Sequence, residues 1–231
     1  MRICGVFAVL PAMLLAPCGA SAGIPDGDVF LEVVNSRITT GLISEDGMTI
    51  THGPRVFFGA LGLDIPNVGN DPGFQGPPGT FPLGISIGID IRAALRKWNG
   101  ADFSLIPPET MTVALTADPP IETPLTDMLV HGPSIGVAGE PGSEGEWHHH
   151  PFYTLTGSAS DGIYLIQMDL YSSDPTIQTS LPLWIVWSQN DTEENGIAAV
   201  HWAQDNLVPA PHSGMIAAAG ALGLGRRRRR G

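Results

Sequence analysis

Glycine and proline interrupt this chain so often that little room is left for long helices. There are 29 Gly and 21 Pro in 231 residues, and the runs between them have strand length and strand pattern. In "DVFLEVV", Val29, Leu31 and Val33 share one face and Phe30, Glu32 and Val34 the other. "SRITTGLIS" repeats the habit with Ile38, Thr40 and Leu42, and Asp46-Gly47 then offers a tight hairpin. "RVFFGAL" is a further short run. "MTVALTA" alternates Met111, Val113 and Leu115 against Thr112, Ala114 and Thr116. "GIYLIQMDLYSSD" aligns Tyr164, Ile166, Met168 and Leu170, with Leu165, Gln167 and Asp169 opposite. "LPLWIVWSQ" is apolar throughout, as a central strand buried on both faces must be.

Two stretches read as short helices. In "GIDIRAALRKWNG", Asp90 can cap a helix whose apolar side is Ile91, Ala94, Leu95 and Trp98, stopped by Asn99-Gly100. In "NDTEENGIAAVHWAQDNL", Asp191 and Glu194 make a capping-box-like start. The segments 62–84 and 118–145 read as loops, the second with a weak strand near Ile135. The expectation is an all-β protein: a β-sandwich of jelly-roll or immunoglobulin-like type with about seven to nine strands and one or two short helices.

Both ends read as processing signals. Residues 1–22 hold one basic residue, Arg2, then "VFAVLPAMLLAP" and the small residues Ala20-Ser21-Ala22, the pattern of a secretory signal peptide. "LAPC" at Leu15–Cys18 also resembles a lipoprotein signal, although Pro17 before the cysteine fits that pattern poorly. The two cysteines, Cys4 and Cys18, both fall here. The remaining chain therefore has no disulfide, thiol nucleophile or thiolate ligand. Residues 23–207 read as a single domain, and 208–231 as a tail.

That tail runs Val208-Pro209-Ala210-Pro211, a weakly apolar stretch from Met215 to Gly225, then Arg226, Arg227, Arg228, Arg229 and Arg230. The apolar stretch falls short of the ~20 residues of an ordinary membrane-spanning helix. The order and spacing resemble the PEP-CTERM sorting signal of Gram-negative bacteria, with Ala210 standing where that motif usually has Glu. The resemblance covers the last 24 residues. It implies export past the inner membrane and transient membrane association. It also implies cleavage by an exosortase after signal peptidase has acted, a final place at the cell surface or outside the cell, and a host that makes exopolysaccharide.

Removing both ends changes the charge. All 23 acidic residues lie between Asp26 and Asp205, against Arg37, Arg55, Arg92, Arg96 and Lys97, a balance of −18. Such a surface repels nucleic acid and anionic membranes, stays soluble and attracts cations.

"GEWHHHPFYTL" is the most pointed stretch. On a strand, His148 and His150 project the same way, so two imidazoles can reach one ion. Neutral imidazole suits zinc and other transition metals. A third ligand must come from elsewhere: His149, His131 and His52 are candidates, with Glu144 and Glu146 near in sequence. The competing reading is a plain polar strand edge with Trp147, His149, Tyr153 and Leu155 facing the core. The cupin pattern fails, because no acid follows His150 before Asp161. There is no G-x-S-x-G, phosphate loop or dinucleotide fingerprint, and no carboxylate pair sits in a recognisable motif.

From "GTFPLGISIGIDI" through "GEWHHHPFYTL", "GIYLIQMDLYSSDP" and "LPLWIVWSQ", the chain also resembles a group of uncharacterised bacterial surface-anchored proteins with an H-x-H strand, a following aromatic and a G-x-Y. His148 and His150 match the H-x-H, Phe152 or Tyr153 the aromatic, and Gly162 with Tyr164 the G-x-Y. The resemblance implies metal handling rather than an enzymatic activity. The expected function is non-enzymatic binding outside the cell, of zinc or another transition metal. The alternative is a carbohydrate- or exopolysaccharide-binding module in which Trp98, Trp147 and Trp187 stack on sugar rings. A hydrolase of unknown substrate stands as the third reading.

Overall fold

A computed structural model describes residues 27–115 and 119–209, so the signal peptide and the tail beyond Pro209 lie outside the described residues. Among the described residues, fifteen strands and one helix follow in order: β1 Asp28–Val34, β2 Arg37–Ile43, β3 Ile50–His52, β4 Val56–Leu61, β5 Val68–Gly69, β6 Phe74–Gly76, β7 Ser86–Ile91, β8 Arg96–Lys97, β9 Met111–Ala114, β10 Ile121–Glu122, β11 Val130–Gly136, β12 Trp147–His149, β13 Phe152–Leu155, β14 Gly162–Ser172, β15 Leu183–Gln189 and α1 Glu193–Leu207. The fold is all-β and sandwich-like, with the strands gathered into several sheets. No helix among the described residues is long and apolar enough to cross a membrane.

The alternation along β14 decides where the core lies. Its Tyr164, Ile166, Met168 and Leu170 enter the main core with Leu183, Ile185 and Trp187 of β15. Ile163 and Leu165 face the other way, into a second cluster with Trp184 and Val186. β15 is thus buried on both faces, as its unbroken apolar run requires. Around this pair the sheet runs β11-β7-β14-β15-β4, with β8 attached to β14. The second sheet runs β12-β6-β1-β2-β3 and the third β10-β9-β13-β5. The main core draws on all three.

Helix α1 seals the second cluster. It buries Gly196, Ala199, Val200 and Ala203, small residues that let a helix approach a sheet closely. Its N-cap is Thr192, whose side chain accepts from the Asn195 amide, rather than Asp191. Asp191 instead accepts from the Asn195 side chain at 2.7 Å.

The helix expected over 90–98 is absent. Ile87, Ile89 and Ile91 alternate into the core as β7, and Arg96–Lys97 pair with β14. The β-branched residues fill the inner face of a strand, and that burial outweighs the weak capping signal. Asp90 does not cap. It accepts from the Gly132 amide at 3.2 Å and lies 2.8 Å from His131. The Asp46-Gly47 hairpin forms as expected, with the Gly47 amide donating to Ser44 at 2.7 Å. The loop expected over 62–84 contains β5 and β6, and that over 118–145 contains β10 and β11.

Candidate metal centre

β6 lies between β1 and β12, pairing parallel with β1 and antiparallel with β12. In that register His148 sits opposite Gln75 and His149 opposite Phe74, while Val29 sits opposite Phe74. The start of β1 is thereby brought beside the end of β12. Side chains alternate along β12: Trp147 is buried, His148 is exposed and His149 is half-buried. His150, just past the strand end, turns to the same side as His148.

Three side chains from distant parts of the sequence meet there: Asp28, His148 and His150. The two Nε2 atoms are 3.1 Å apart. Asp28 Oδ2 lies 3.8 Å from His148 Nε2 and 3.5 Å from His150 Nε2. A circle through three atoms at these separations has a radius of about 2.0 Å, within the range of zinc–nitrogen and zinc–oxygen bonds. The cluster can hold a metal ion. His148 and His150 are exposed and Asp28 is partly buried, which leaves room for water or another donor in a fourth position.

Two of the three candidate ligand atoms are aimed by a second contact. Asp28 Oδ1 accepts from the Gly73 amide at 2.7 Å, which turns Oδ2 toward the imidazoles. His150 Nδ1 lies 3.1 Å from the Asn70 carbonyl and 3.4 Å from Asp71 Oδ1. Donation from Nδ1 to that carbonyl leaves the Nε2 lone pair free for a metal, the arrangement usual behind a ligating imidazole. Gly73 packs against the same ring: a Cβ there would lie 2.6 Å from its Cε1 and Nδ1. The Asp71 carboxyl is pushed up by burial and by the neighbouring Asp28 carboxylate, with His150 opposing. Two carboxyls in contact, beside two imidazoles, are a donor set that a divalent cation would relieve. Asn70, Asp71 and Pro72 also border a cavity of about 590 Å³.

The other sequence candidates lie elsewhere. His149 turns away from His148 and stacks edge-on against Trp147 with ring centroids 4.9 Å apart. Burial, then the charges of His148 and His150, lower its pKa and favour a neutral ring. His52 on β3 pairs with Glu32 at 2.8 Å and meets Phe30 edge-on. His131 on β11 pairs with Asp90 and lies over Tyr171, ring centroids 4.4 Å apart. None of the three joins the cluster. Glu144 accepts from the Gly142 amide in its own turn.

The tryptophans proposed for sugar stacking are also displaced. Trp147 and Trp187 are core residues, 1% and 0% exposed. Trp98 packs on Phe103 and Trp202. Of the aromatic candidates after the H-x-H, Phe152 is exposed and Tyr153 is fully buried.

Asp28 was missed from sequence because 120 residues separate it from His148. Its one local signal is position: it opens a strand that is apolar apart from Glu32. No protein-family model, no curated protein and no solved structure matches the chain.

Proposed function

We propose that this is an exported, non-enzymatic binding protein that holds a transition metal, with zinc the best fit, through Asp28, His148 and His150. The observation that carries the reading is the triangle of Asp28 Oδ2 and the two Nε2 atoms, sized for one ion. Its donors are nitrogen and oxygen with no thiolate, a set that zinc accepts. The N-terminal signal and the PEP-CTERM-like tail support a place at the cell surface or in the extracellular matrix. The acidic balance outside those ends supports a role among cations rather than nucleic acids.

The test is metal content of the full, untagged chain by elemental mass spectrometry, beside the double change His148→Ala, His150→Ala and the single change Asp28→Ala. About one zinc per chain in the parent, lost in the double variant and reduced in the single one, supports the reading. A metal-free parent that gives no binding heat with added zinc, copper or nickel overturns it.

A further inference from the structure

The outer face of the β14–β15 sheet carries a cavity of about 530 Å³ that none of Asp28, His148 and His150 lines. It lies between the C-terminal half of α1 and the chain that leaves β7 and passes through β8. Its apolar wall includes Trp184, Phe103 and Trp202. Trp202 is partly exposed and packs edge-on against Trp98 and Phe103, and Arg55 lies over Trp184 at 5.1 Å. These contacts fix the rings before any ligand arrives.

The polar lining is unusual for this chain. Only five basic residues lie between 23 and 207, and two of them, Arg92 and Arg96, line this cavity. Asp102 and Asp127 line it as well, so its charged residues balance. Both arginines are also paired, and Asp102 accepts from the Asn99 side chain at 2.6 Å and from the Ser104 amide at 2.9 Å. Arg96 meets Asp127 at 2.5 Å, and Asp127 is held in turn by the Ala94 amide at 3.2 Å. Arg92 meets Asp169 at 3.4 Å. Each guanidinium has five N–H groups and each carboxylate several lone pairs, so the pairs keep donors and acceptors to spare. Gln167 adds an amide with both.

With two arginines and two aspartates around it, the groove offers no net attraction to an ion of either sign. A neutral ring with adjacent hydroxyls, each both donor and acceptor, meets a match on every polar side. Its C–H face suits the partly exposed indole of Trp202. The volume is in the range of about 300–1,000 Å³ typical of small-ligand sites.

We propose that this groove binds a neutral saccharide, recognised through Trp202, Gln167, Asp102 and the Arg96–Asp127 pair. The site is separate from the metal centre and does not need it.

The experiment applies the full chain to an array of neutral glycans, with oligogalacturonate as the anionic comparator and a chelator present throughout. Hits are then titrated by calorimetry. The expected result is binding of at least one neutral glycan, weakened tenfold or more by Gln167→Ala and by Asp102→Ala. Gln167→Ala removes a polar side chain from β14; because Asp102 also holds its own turn through the Asn99 side chain and the Ser104 amide, an unchanged near-ultraviolet circular dichroism spectrum is required of Asp102→Ala. His148→Ala, His150→Ala should leave the affinity unchanged. Three results would overturn the proposal: no neutral glycan bound at millimolar concentration, binding confined to oligogalacturonate, or full affinity in both groove variants.

Discussion

Gly73 and the ring of His150 are in such close contact that a methyl group on Gly73 would lie 2.6 Å from the imidazole Nδ1. The same glycine donates its amide to Asp28 Oδ1. One residue without a side chain therefore sets two of the three candidate ligands. Gly73→Ala must push the His150 ring aside and disturb the Asp28 anchor. The expected outcome is zinc affinity reduced about 10- to 100-fold, the usual cost of losing an orienting contact. Calorimetric titration with zinc checks it, and an unchanged far-ultraviolet circular dichroism spectrum separates the effect from unfolding.

Two of the three side chains of this candidate site were legible in the sequence and the third was not, for a physical reason. The H-x-H spacing together with a strand reading places His148 and His150 on one side, because strand side chains alternate. The third ligand depends on which strands lie side by side. The parallel pairing of β6 with β1 is a long-range fact with no local signature. The fold divides the same way. The two-faced burial of β14 and β15 follows from their own pattern. A helix over 90–98 is suggested because Ile91, Ala94, Leu95 and Trp98 share a helical face, but Ile87, Ile89 and Ile91 carry a strand through Ile91 instead. Tertiary burial decided between them.

Glu109 ties the loop after β13 to the segment before β9. Its Oε1 accepts from the Ser158 hydroxyl at 2.5 Å and the Ser160 hydroxyl at 2.6 Å. Burial alone would raise its pKa, but the hydrogen bonds from Ser158 and Ser160 outweigh it and hold the carboxyl at about 2. Because the folded value lies below the ordinary 4.5, this group stabilises the fold above that pH, and the contribution fades as pH falls toward 2. Glu109→Gln should cost about 1–3 kcal/mol at neutral pH, as loss of a charged hydrogen-bond acceptor does. Urea unfolding at several pH values checks both parts: the variant's stability should fall less steeply than the parent's below pH 4.5.

Asp169 behaves in the opposite sense. Its side chain is 4% exposed, and Oδ1 makes no hydrogen bond within the protein. Burial pushes its pKa up to about 6, with Arg92 opposing and Asp90 adding to the rise. Asp90 is in turn partnered by His131 from β11, and Tyr171 packs on that imidazole. A folded value above the ordinary 3.8 means the folded state binds the extra proton, so stability declines as pH rises from about 4 to about 6. Asp169→Asn removes the buried charge. It should leave stability below pH 4 nearly unchanged and raise it by about 1–2 kcal/mol at pH 8. Thermal melts at the two pH values decide the matter, and a lower melting temperature at pH 8 would show that the Arg92 pair outweighs the burial.

Tyr153 and Trp187 stack in the centre of the main core with ring centroids 4.6 Å apart, and both are 0% exposed. The phenol oxygen of Tyr153 makes no hydrogen bond within the protein. Its burial drives the phenol pKa up, so the hydroxyl stays neutral at any accessible pH. A buried hydroxyl without a partner is a desolvation cost with no return. The ring is a different matter: it packs on Trp187, whose indole lies against Gly59 and Gly69 so closely that a Cβ at either would come within 2.6 Å of it. Tyr153→Phe should therefore keep the stack and raise stability by about 0.5–2 kcal/mol. Tyr153→Ala should open a cavity and cost about 3–5 kcal/mol. Guanidinium unfolding of the two variants separates the hydroxyl from the ring, and a loss of stability in Tyr153→Phe would mean that the oxygen has a partner such as buried water.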